Sequence, residues 1–179
     1  VEEMQDEGVI YCKSAGNQRQ KLCGQGDIDY NNYITKSSST GGISAGQPVY
    51  YNRGAGNIGP DTIVVGNIDS YLFNGQEATQ TGSDKGPRVD GWAAGTNIIS
   101  SYNNSASATA DLTGTSMATP QVSGMTCLLL QMNPGMTPAQ VRSWWHNNAV
   151  QNLLYVGPNN ENDPATFFNN DRNLMGGVN

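Results

Sequence analysis

Charged residues are scarce in this chain, and the basic ones are scarcer than the acidic ones. Only 13% of the 179 residues are charged, with 9 Lys or Arg against 15 Asp or Glu, so the formal net charge is −6. A protein without a basic stripe is a poor partner for nucleic acid or for an anionic membrane surface. The chain has no run of about 18 apolar residues, which argues against a membrane-spanning helix.

Cysteine is also rare, with three residues at positions 12, 23 and 127. An odd number leaves at least one free thiol, and the absence of a CxxC pair or a Cys/His cluster argues against structural zinc. Cys12 and Cys23 would be able to close a loop in an oxidising compartment, and the sequence leaves both states open. The 22 glycines and the low charge are typical of a loop-rich secreted protein. No signal-peptide pattern is present at Val1.

The length suits one domain, and its apolar runs predict alternating strands and helices. Residues 9–17 and 61–69 are typical of buried strands, and 88–102 of two short extended pieces. Apolar residues at steps of three and four over 116–132 predict a helix, and the capping-box pattern of Thr137–Gln140 begins another. Solid apolar strands between helices predict an α/β fold with a covered, largely parallel sheet.

Three further segments complete the predicted organisation of the chain. Residues 1–8 are typical of the end of a helix, because Gly8 closes an otherwise helical stretch. Residues 18–59 show little periodicity and are interpreted as one long ordered loop region. Residues 173–179 form a possible last strand.

Ser116 lies where the first long helix begins, directly behind the small residues Thr113, Gly114 and Thr115. Serine is a preferred N-cap, so capping is one interpretation. A nucleophile is the other, because the free N–H groups and positive dipole end of a helix favour a developing oxyanion. The small residues ahead of the serine would let a substrate backbone approach. Pro120 is interpreted as a residue at which a helix begins.

The segment "GTSMATPQVSG" (114–124) resembles the nucleophile segment of the subtilisin family of serine proteases. The segment "SAGN" (14–17) resembles the strand end that carries the oxyanion asparagine of this family, and order and spacing agree over residues 9–149. The resemblance implies a subtilisin-like three-layer α/β sandwich with a mostly parallel sheet. The chain would form the C-terminal portion of that domain, as one partial domain over 1–179.

Carried over by position, the resemblance implies five site residues. Ser116 would be the acyl-forming nucleophile, and Asn17 would donate a side-chain N–H to the oxyanion, with the Ser116 backbone N–H as the second donor. Ser14, Ala15 and Gly16 would line one wall of the substrate side-chain pocket. The backbone of this wall is expected to be open and to pair with substrate.

The base that such a serine needs is missing from the expected place. In the family, the Asp and the His precede the oxyanion asparagine, yet only 16 residues precede Asn17 and none of them is His. His146 is the only histidine of the chain, and beside Trp144 and Trp145 it is interpreted as packed or solvated. The chain is therefore a fragment of a longer protease, one half of a split enzyme, or a noncatalytic subtilase-like domain of a larger assembly.

The first two alternatives predict a serine endopeptidase with a polypeptide substrate, outside the cell. Its partner would be the missing N-terminal half of the domain, in cis or in trans, and neither nucleic acid nor membrane is expected. The chain alone should be inactive and should self-associate through its open sheet edge. No redox or organic cofactor is implied. Calcium is possible, because subtilases often bind it and "DIDYNN" (27–32) is acidic, although Asn32 and Ser38 exclude an EF-hand.

Two other features are weighed against this interpretation. The segment "GISAG" (42–46) matches the G-x-S-x-G nucleophile elbow of esterases, but no strand precedes it and no helix follows it in the sequence pattern. Gln121 stands where the family usually has His after the proline of the serine motif. Because that His is not the catalytic base, the change is interpreted as a variation in helix packing.

Overall fold

The structure, a computed structural model, describes residues 1–39, 43–51, 59–151, 153–155 and 174–175. The helices in these ranges are α1 (Glu2–Asp6), α2 (Thr115–Met132) and α3 (Pro138–Asn148). The strands are β1 (Cys12–Ser14), β2 (Tyr33–Thr35), β3 (Pro48–Tyr50), β4 (Ile63–Phe73), β5 (Gln76–Thr79), β6 (Gly91–Ala94), β7 (Ile98–Ser101), β8 (Thr109–Leu112), β9 (Val150–Gln151) and β10 (Leu174–Met175).

The main sheet has the strand order β1-β4-β6-β10-β9, with β5 paired to β4. The pairs β1–β4, β4–β6 and β6–β10 are parallel, whereas β5 and β9 run antiparallel to their neighbours. In register, Val65 of β4 lies between Ser14 of β1 and Gly91 of β6. The prediction of an α/β fold with a mostly parallel sheet is therefore confirmed. Parallel strands place their carboxyl ends at one edge of the sheet.

Both faces of the sheet are buried, which explains why its strands are solid apolar runs. Ile63 and Val65 of β4 point to the face covered by α2 and α3, and Val64 and Ile68 point to the other face. The helix-side core adds Ala93, Ala118, Val122, Leu129, Val141 and Trp145. The opposite core adds Ala15, Leu22, Val89, Trp92 and Leu154, and in the described ranges it is covered by irregular segments.

The start of α2 differs from the sequence prediction. Gly114 is the N-cap and Thr115 the first helical residue, so Ser116 lies inside the first turn and the capping interpretation is wrong. Pro120 also lies inside the helix, not at its beginning. Because proline has no N–H, it cannot donate to the carbonyl of Ser116 one turn earlier. No helix in the described ranges is long and apolar enough to cross a membrane.

Local patterns elsewhere are confirmed. Thr137 Oγ1 accepts from Gln140 N at 3.3 Å and Gln140 Oε1 accepts from Thr137 N at 2.8 Å, which is the predicted capping box of α3. The predicted last strand exists as β10, and the other residues of 173–179 lie outside the described ranges. The loop region 18–59 contains the antiparallel hairpin β2–β3. The element that follows Ser44 is the strand β3 and not a helix. This order argues against an esterase nucleophile elbow at Ser44, because that motif needs a helix after the serine.

Candidate active site

The site lies where the carboxyl ends of β1 and β6 meet the beginning of α2. Gly95 follows β6, and its carbonyl accepts from Gly114 N at 2.8 Å. A side chain at Gly95 has no room, because its Cβ would lie 2.7 Å from the carbonyl oxygen of Gly114. The segment after β1 carries Asn17 to the same point. Residues almost 100 positions apart, such as Asn17 and Thr115 with a separation of 98, thereby come into contact.

Thr115 holds the side chain of Asn17. Its backbone N–H donates to Asn17 Oδ1 at 3.0 Å and its hydroxyl lies 3.1 Å from the same oxygen. The Thr115 hydroxyl also accepts from Gly16 N at 3.2 Å, and Thr115 is fully buried. Because these bonds use the amide oxygen, the Nδ2 group of Asn17 is left as a donor. The sequence pattern did not mark Thr115 as a site residue, because its only signal was its position directly before the serine.

Ser116 is exposed, on the first turn of α2 beside Asn17. The N–H groups of a first helical turn have no intrahelical acceptor, and that of Ser116 has no partner within the described ranges. Gly114 lets Asn17 approach, because a Cβ on Gly114 would lie 3.2 Å from Asn17 Nδ2. Two N–H donors, Asn17 Nδ2 and Ser116 N, therefore remain available beside an accessible hydroxyl. The assignment of Ser116 as nucleophile and Asn17 as oxyanion donor stays a prediction.

The backbone of Ala15 and Gly16 is less open than expected. Ala15 N donates to Val65 O at 2.9 Å, which extends the pairing of β1 with β4. Gly16 donates its N–H to Thr115 and accepts from Asp84 N at 2.8 Å, so both of its backbone groups are occupied. The prediction of a free backbone is therefore wrong for these groups, because sheet and helix already use them. That Ser14, Ala15 and Gly16 line a substrate pocket stays a prediction.

His146 lies at the opposite end of β6 from Ser116. Its Nε2 is 2.9 Å from Asp90 Oδ1, and Asp90 also pairs with Arg142 at 2.6 Å and Arg88 at 2.5 Å. Asp90 precedes β6, whereas Gly95 beside the Ser116 helix follows it, a span of about 16 Å at about 3.3 Å per residue. His146 is therefore a partly buried residue hydrogen-bonded to Asp90 and not a base for Ser116.

The ion cluster at Asp90 is strongly polar and largely buried. Burial by itself would raise the pKa of Asp90, but the His146 hydrogen bond and the charges of Arg88 and Arg142 outweigh it and lower that pKa. Asp90 Oδ2 also accepts from Val64 N at 2.8 Å. The cluster thus joins α3, β4 and the start of β6 at the end of the sheet remote from Ser116.

The acidic segment 27–32 has protein partners for its carboxylates. Asp27 Oδ2 accepts from Gly24 N at 2.6 Å, and Asp29 pairs with Lys21 Nζ at 2.7 Å. Hydrogen bonds from Lys21 and Asn32 lower the pKa of Asp29. Among the described residues no group of three His, Cys, Asp or Glu side chains is placed to hold a metal ion. The segment therefore gives no support to calcium binding at this place, which the sequence had left open.

The three cysteines are free thiols, so Cys12 and Cys23 are not joined. Burial raises the pKa of Cys12, although hydrogen bonds from Ser123 and Thr126 act against it. Gln121 donates through Nε2 to the carbonyl of Ala94 at 2.5 Å. This bond ties α2 to the end of β6, in agreement with the interpretation of Gln121 as a helix-packing residue.

Sequence comparison finds related proteins over most of the chain. Residues 1–172 match the model of the Subtilase family. Cerevisin of Saccharomyces cerevisiae is 34% identical over 175 residues, which cover 91% of this chain and 22% of cerevisin. The alkaline extracellular protease of Yarrowia lipolytica is 42% identical over 96 residues, 51% of this chain and 21% of that protein.

A solved structure supports the fold. The crystal structure of a cold adapted subtilisin-like serine proteinase matches with a TM-score of 0.59 at 23% identity, covering 85% of this chain and 42% of that chain. The chain spans about a fifth of the length of the two relatives above, at 22% and 21%. The family match over 1–172 and the fold together lead to one conclusion: this chain belongs to the subtilase family.

Proposed function

We propose that this chain is the part of a subtilisin-like serine endopeptidase that carries the nucleophile and the oxyanion donors. The observation that supports the proposal most directly is the pair of contacts from Thr115 to Asn17 Oδ1, at 3.0 and 3.1 Å. They fix the amide oxygen and leave Asn17 Nδ2 as a donor next to Ser116. Such preorganised donors contribute most when they are held in place before the charge develops.

In the proposed reaction Ser116 Oγ attacks the carbonyl carbon of the scissile peptide, and a His base takes the hydroxyl proton. The carbonyl oxygen becomes an oxyanion that accepts from Asn17 Nδ2 and Ser116 N, at the positive end of the 18-residue helix α2. Collapse expels the amine, which receives the proton from the base. Water then hydrolyses the acyl-enzyme and restores Ser116.

The His and its Asp would come from the N-terminal part of the same domain, in cis or in trans. Two features of the chain suit such a partner. The outer face of α2 exposes apolar side chains, with Leu128 61% and Met132 72% exposed. The outer edge of β1 has no neighbouring strand within the described ranges. A polypeptide that covered this face and edge would complete one domain with residues 1–179.

Self-association of the isolated chain tests this surface. The chain alone should associate at high micromolar concentration, because Leu128 and Met132 have no cover. Leu128→Lys should shift sedimentation towards the monomer, whereas the control Asn147→Lys, an exposed change on α3, should change it little. A Leu128→Lys chain that sediments like the wild type would mean that another surface drives association.

The substrate would be a polypeptide, and the site of action would lie outside the cell. The Yarrowia lipolytica relative is an alkaline extracellular protease by name. The low charged fraction of 13% and the 22 glycines fit the same compartment. Recovery of the protein from culture medium, with its signal peptide cleaved off, would support this assignment.

Labelling with a fluorophosphonate probe tests the proposed chemistry. The chain would be labelled alone and together with the upstream polypeptide of the same gene product. We expect labelling only in the combined sample, loss of labelling in Ser116→Ala, and unchanged labelling in Ser123→Ala, which alters another serine of α2. A silent Ser116 beside a folded upstream part with an intact Asp and His would favour the noncatalytic subtilase-like alternative.

A further inference from the structure

The turn that carries Asn17, residues 17–20, contains a strained residue and follows a glycine with positive φ. Gly16 before it has φ +118°, and Arg19 within it has φ +55°. Residues other than glycine rarely adopt the left-handed region occupied by Arg19, because Cβ crowds the backbone. This conformation therefore depends on contacts from outside the turn. We call this segment the Asn17 turn.

Two buried side chains of opposite charge hold the Asn17 turn. Lys36, which is 9% exposed, donates through Nζ to the carbonyl of Gln18 and lies 3.4 Å from the carbonyl oxygen of Arg19. Asp84, which is fully buried, accepts through Oδ1 from Gln18 N at 2.7 Å and from Gln20 N at 3.1 Å. The cation binds the carbonyls of the turn and the anion binds its N–H groups.

Asp84 also contacts the residue before Asn17. Its backbone N–H donates to Gly16 O at 2.8 Å, and its carboxylate lies so close that a Cβ on Gly16 would be 2.4 Å from Oδ2. Oδ2 itself is buried without a hydrogen-bond partner among the described residues. A purely structural carboxylate would ordinarily have both oxygens satisfied. A buried oxygen without a hydrogen-bond partner lowers the stability of the folded chain. The contacts of Asp84 lie on both sides of Asn17, at Gly16 and at Gln18.

We propose that Asp84 and Lys36 are positioning residues that fix the direction of the Asn17 side-chain amide. The inference rests on the proposed oxyanion role of Asn17. Thr115 holds the amide oxygen from the α2 side, and Asp84 with Lys36 holds the backbone that carries the side chain. A displacement of about 1 Å at a reacting centre lowers rates by about 10²-fold, so the orientation of one donor matters.

The ionisation of Asp84 provides a signal that is independent of activity. Burial raises the pKa of Asp84 to about 7, against the hydrogen bonds from Gln20 and Gln18 and the charge of Lys36. Burial lowers the pKa of Lys36, and the charge of Arg19 lowers it further. The charge of Asp84 acts in the opposite direction and raises it. When Asp84 loses its proton, its bonds to Gln18 N and Gln20 N become charge-assisted and stronger.

The first experiment follows amide chemical shifts by ¹H–¹⁵N NMR in the full chain, from about pH 5 to about pH 9. We expect the backbone amides of Gln18 and Gln20 and the side-chain amide of Asn17 to shift together. Asp84→Asn should abolish this titration, and the control Asp29→Asn should preserve it. Amides that titrate in Asp84→Asn as they do in the wild type would overturn the role of Asp84 in holding the Asn17 turn. A static Asn17 amide beside titrating Gln18 and Gln20 would overturn its link to Asn17.

The second experiment measures hydrolysis by the chain combined with its upstream polypeptide. Asp84→Asn and, separately, Lys36→Met should lower kcat about 10-fold and leave KM nearly unchanged. Neither change should add a loss in an Asn17→Ala background, because the effect passes through Asn17. Equal losses in both backgrounds would overturn the proposal. A wild-type assembly without activity would refute the proposed function. The amide titration would then still test whether Asp84 holds the Asn17 turn.

Discussion

Asp84 and Asp90 are both buried, at 0% and 3% exposure, yet they have opposite environments. Asp90 is surrounded by Arg88, Arg142 and His146, whose hydrogen bonds and charges overcome burial and lower its pKa. Among the described residues Asp84 accepts from backbone N–H groups alone, and burial raises its pKa to about 7. The two carboxylates lie at opposite ends of β6, the first beside the Asn17 turn and the second remote from it.

The difference separates an end of the sheet held by paired charges from the end that carries the proposed site. The Asp90 end joins α3 to the sheet with paired charges, because a buried carboxylate needs cations to remain ionised. The Asp84 end keeps an unsatisfied oxygen, a left-handed Arg19 and two free N–H donors. Features of this kind collect at sites where a group must be held for reaction. Four changes would break or sharpen this contrast.

Asp90→Ala should have the largest effect on stability. Removing this carboxylate leaves Arg88, whose side chain is 8% exposed, and Arg142 without their anion, so the free energy of unfolding should fall by about 3–5 kcal/mol. Because the pKa of Asp90 is lowered, its contribution is present above the unfolded pKa and is lost as the pH falls through the folded one. Urea unfolding checks this, with Asp6→Ala on α1 as the exposed control. A loss no greater than that of Asp6→Ala would contradict it.

Asn17→Ala should affect rate more than stability. In the complete protein kcat should fall about 10²–10³-fold, the range measured for removal of one oxyanion donor in a subtilisin. Asn17→Asp keeps the oxygen that Thr115 binds but removes the N–H donor, so it should lose at least as much. His146→Gln, at the other end of β6, should leave kcat unchanged. A strong loss in His146→Gln with a mild one in Asn17→Ala would reverse the assignment of the two ends.

Asp84→Asn should change how stability depends on pH. The folded pKa of about 7 lies above the ordinary aspartate pKa of 3.8, so the folded state holds the proton to a higher pH than the unfolded one. Stability is therefore highest below about pH 4 for this group and is lost as the pH rises to about 7, by at most about 4 kcal/mol. The variant should lack this slope in urea unfolding at several pH values. Parallel slopes in both proteins would argue against a titrating Asp84.

Thr137→Ala should have the smallest effect. It removes the hydroxyl that accepts from Gln140 N at 3.3 Å, so stability should fall by about 1 kcal/mol. Ser143→Ala, an exposed change within α3, serves as the control in thermal unfolding. Because α3 carries Arg142 and His146, which contact Asp90, the NMR signals around Asp90 should shift. The Asn17 side-chain NMR signals should not move.

Local patterns were enough to predict much of the fold. The capping box of α3 depends on residues three positions apart, Thr137 and Gln140, and it was predicted correctly. The apolar runs at 61–69 and 116–132 predicted β4 and α2, because periodicity records which faces are buried. The predicted start of α2 was wrong. The sequence allowed a cap at Ser116, whereas Gly114 is the cap, held by the contacts of Thr115 with Asn17 and of Gly114 with Gly95.

The sequence by itself determined the family pattern and the mostly parallel sheet, and it predicted the pair Ser116 and Asn17, because short segments carry those signals. Only the tertiary structure decided which groups face one another. The bonds from Thr115 to Asn17 and from Gln18 to Asp84 join residues 98 and 66 positions apart. The opposite pKa shifts of Asp84 and Asp90 likewise follow from burial and neighbouring charge. Both depend on distances that the folded chain creates, and no local pattern encodes them.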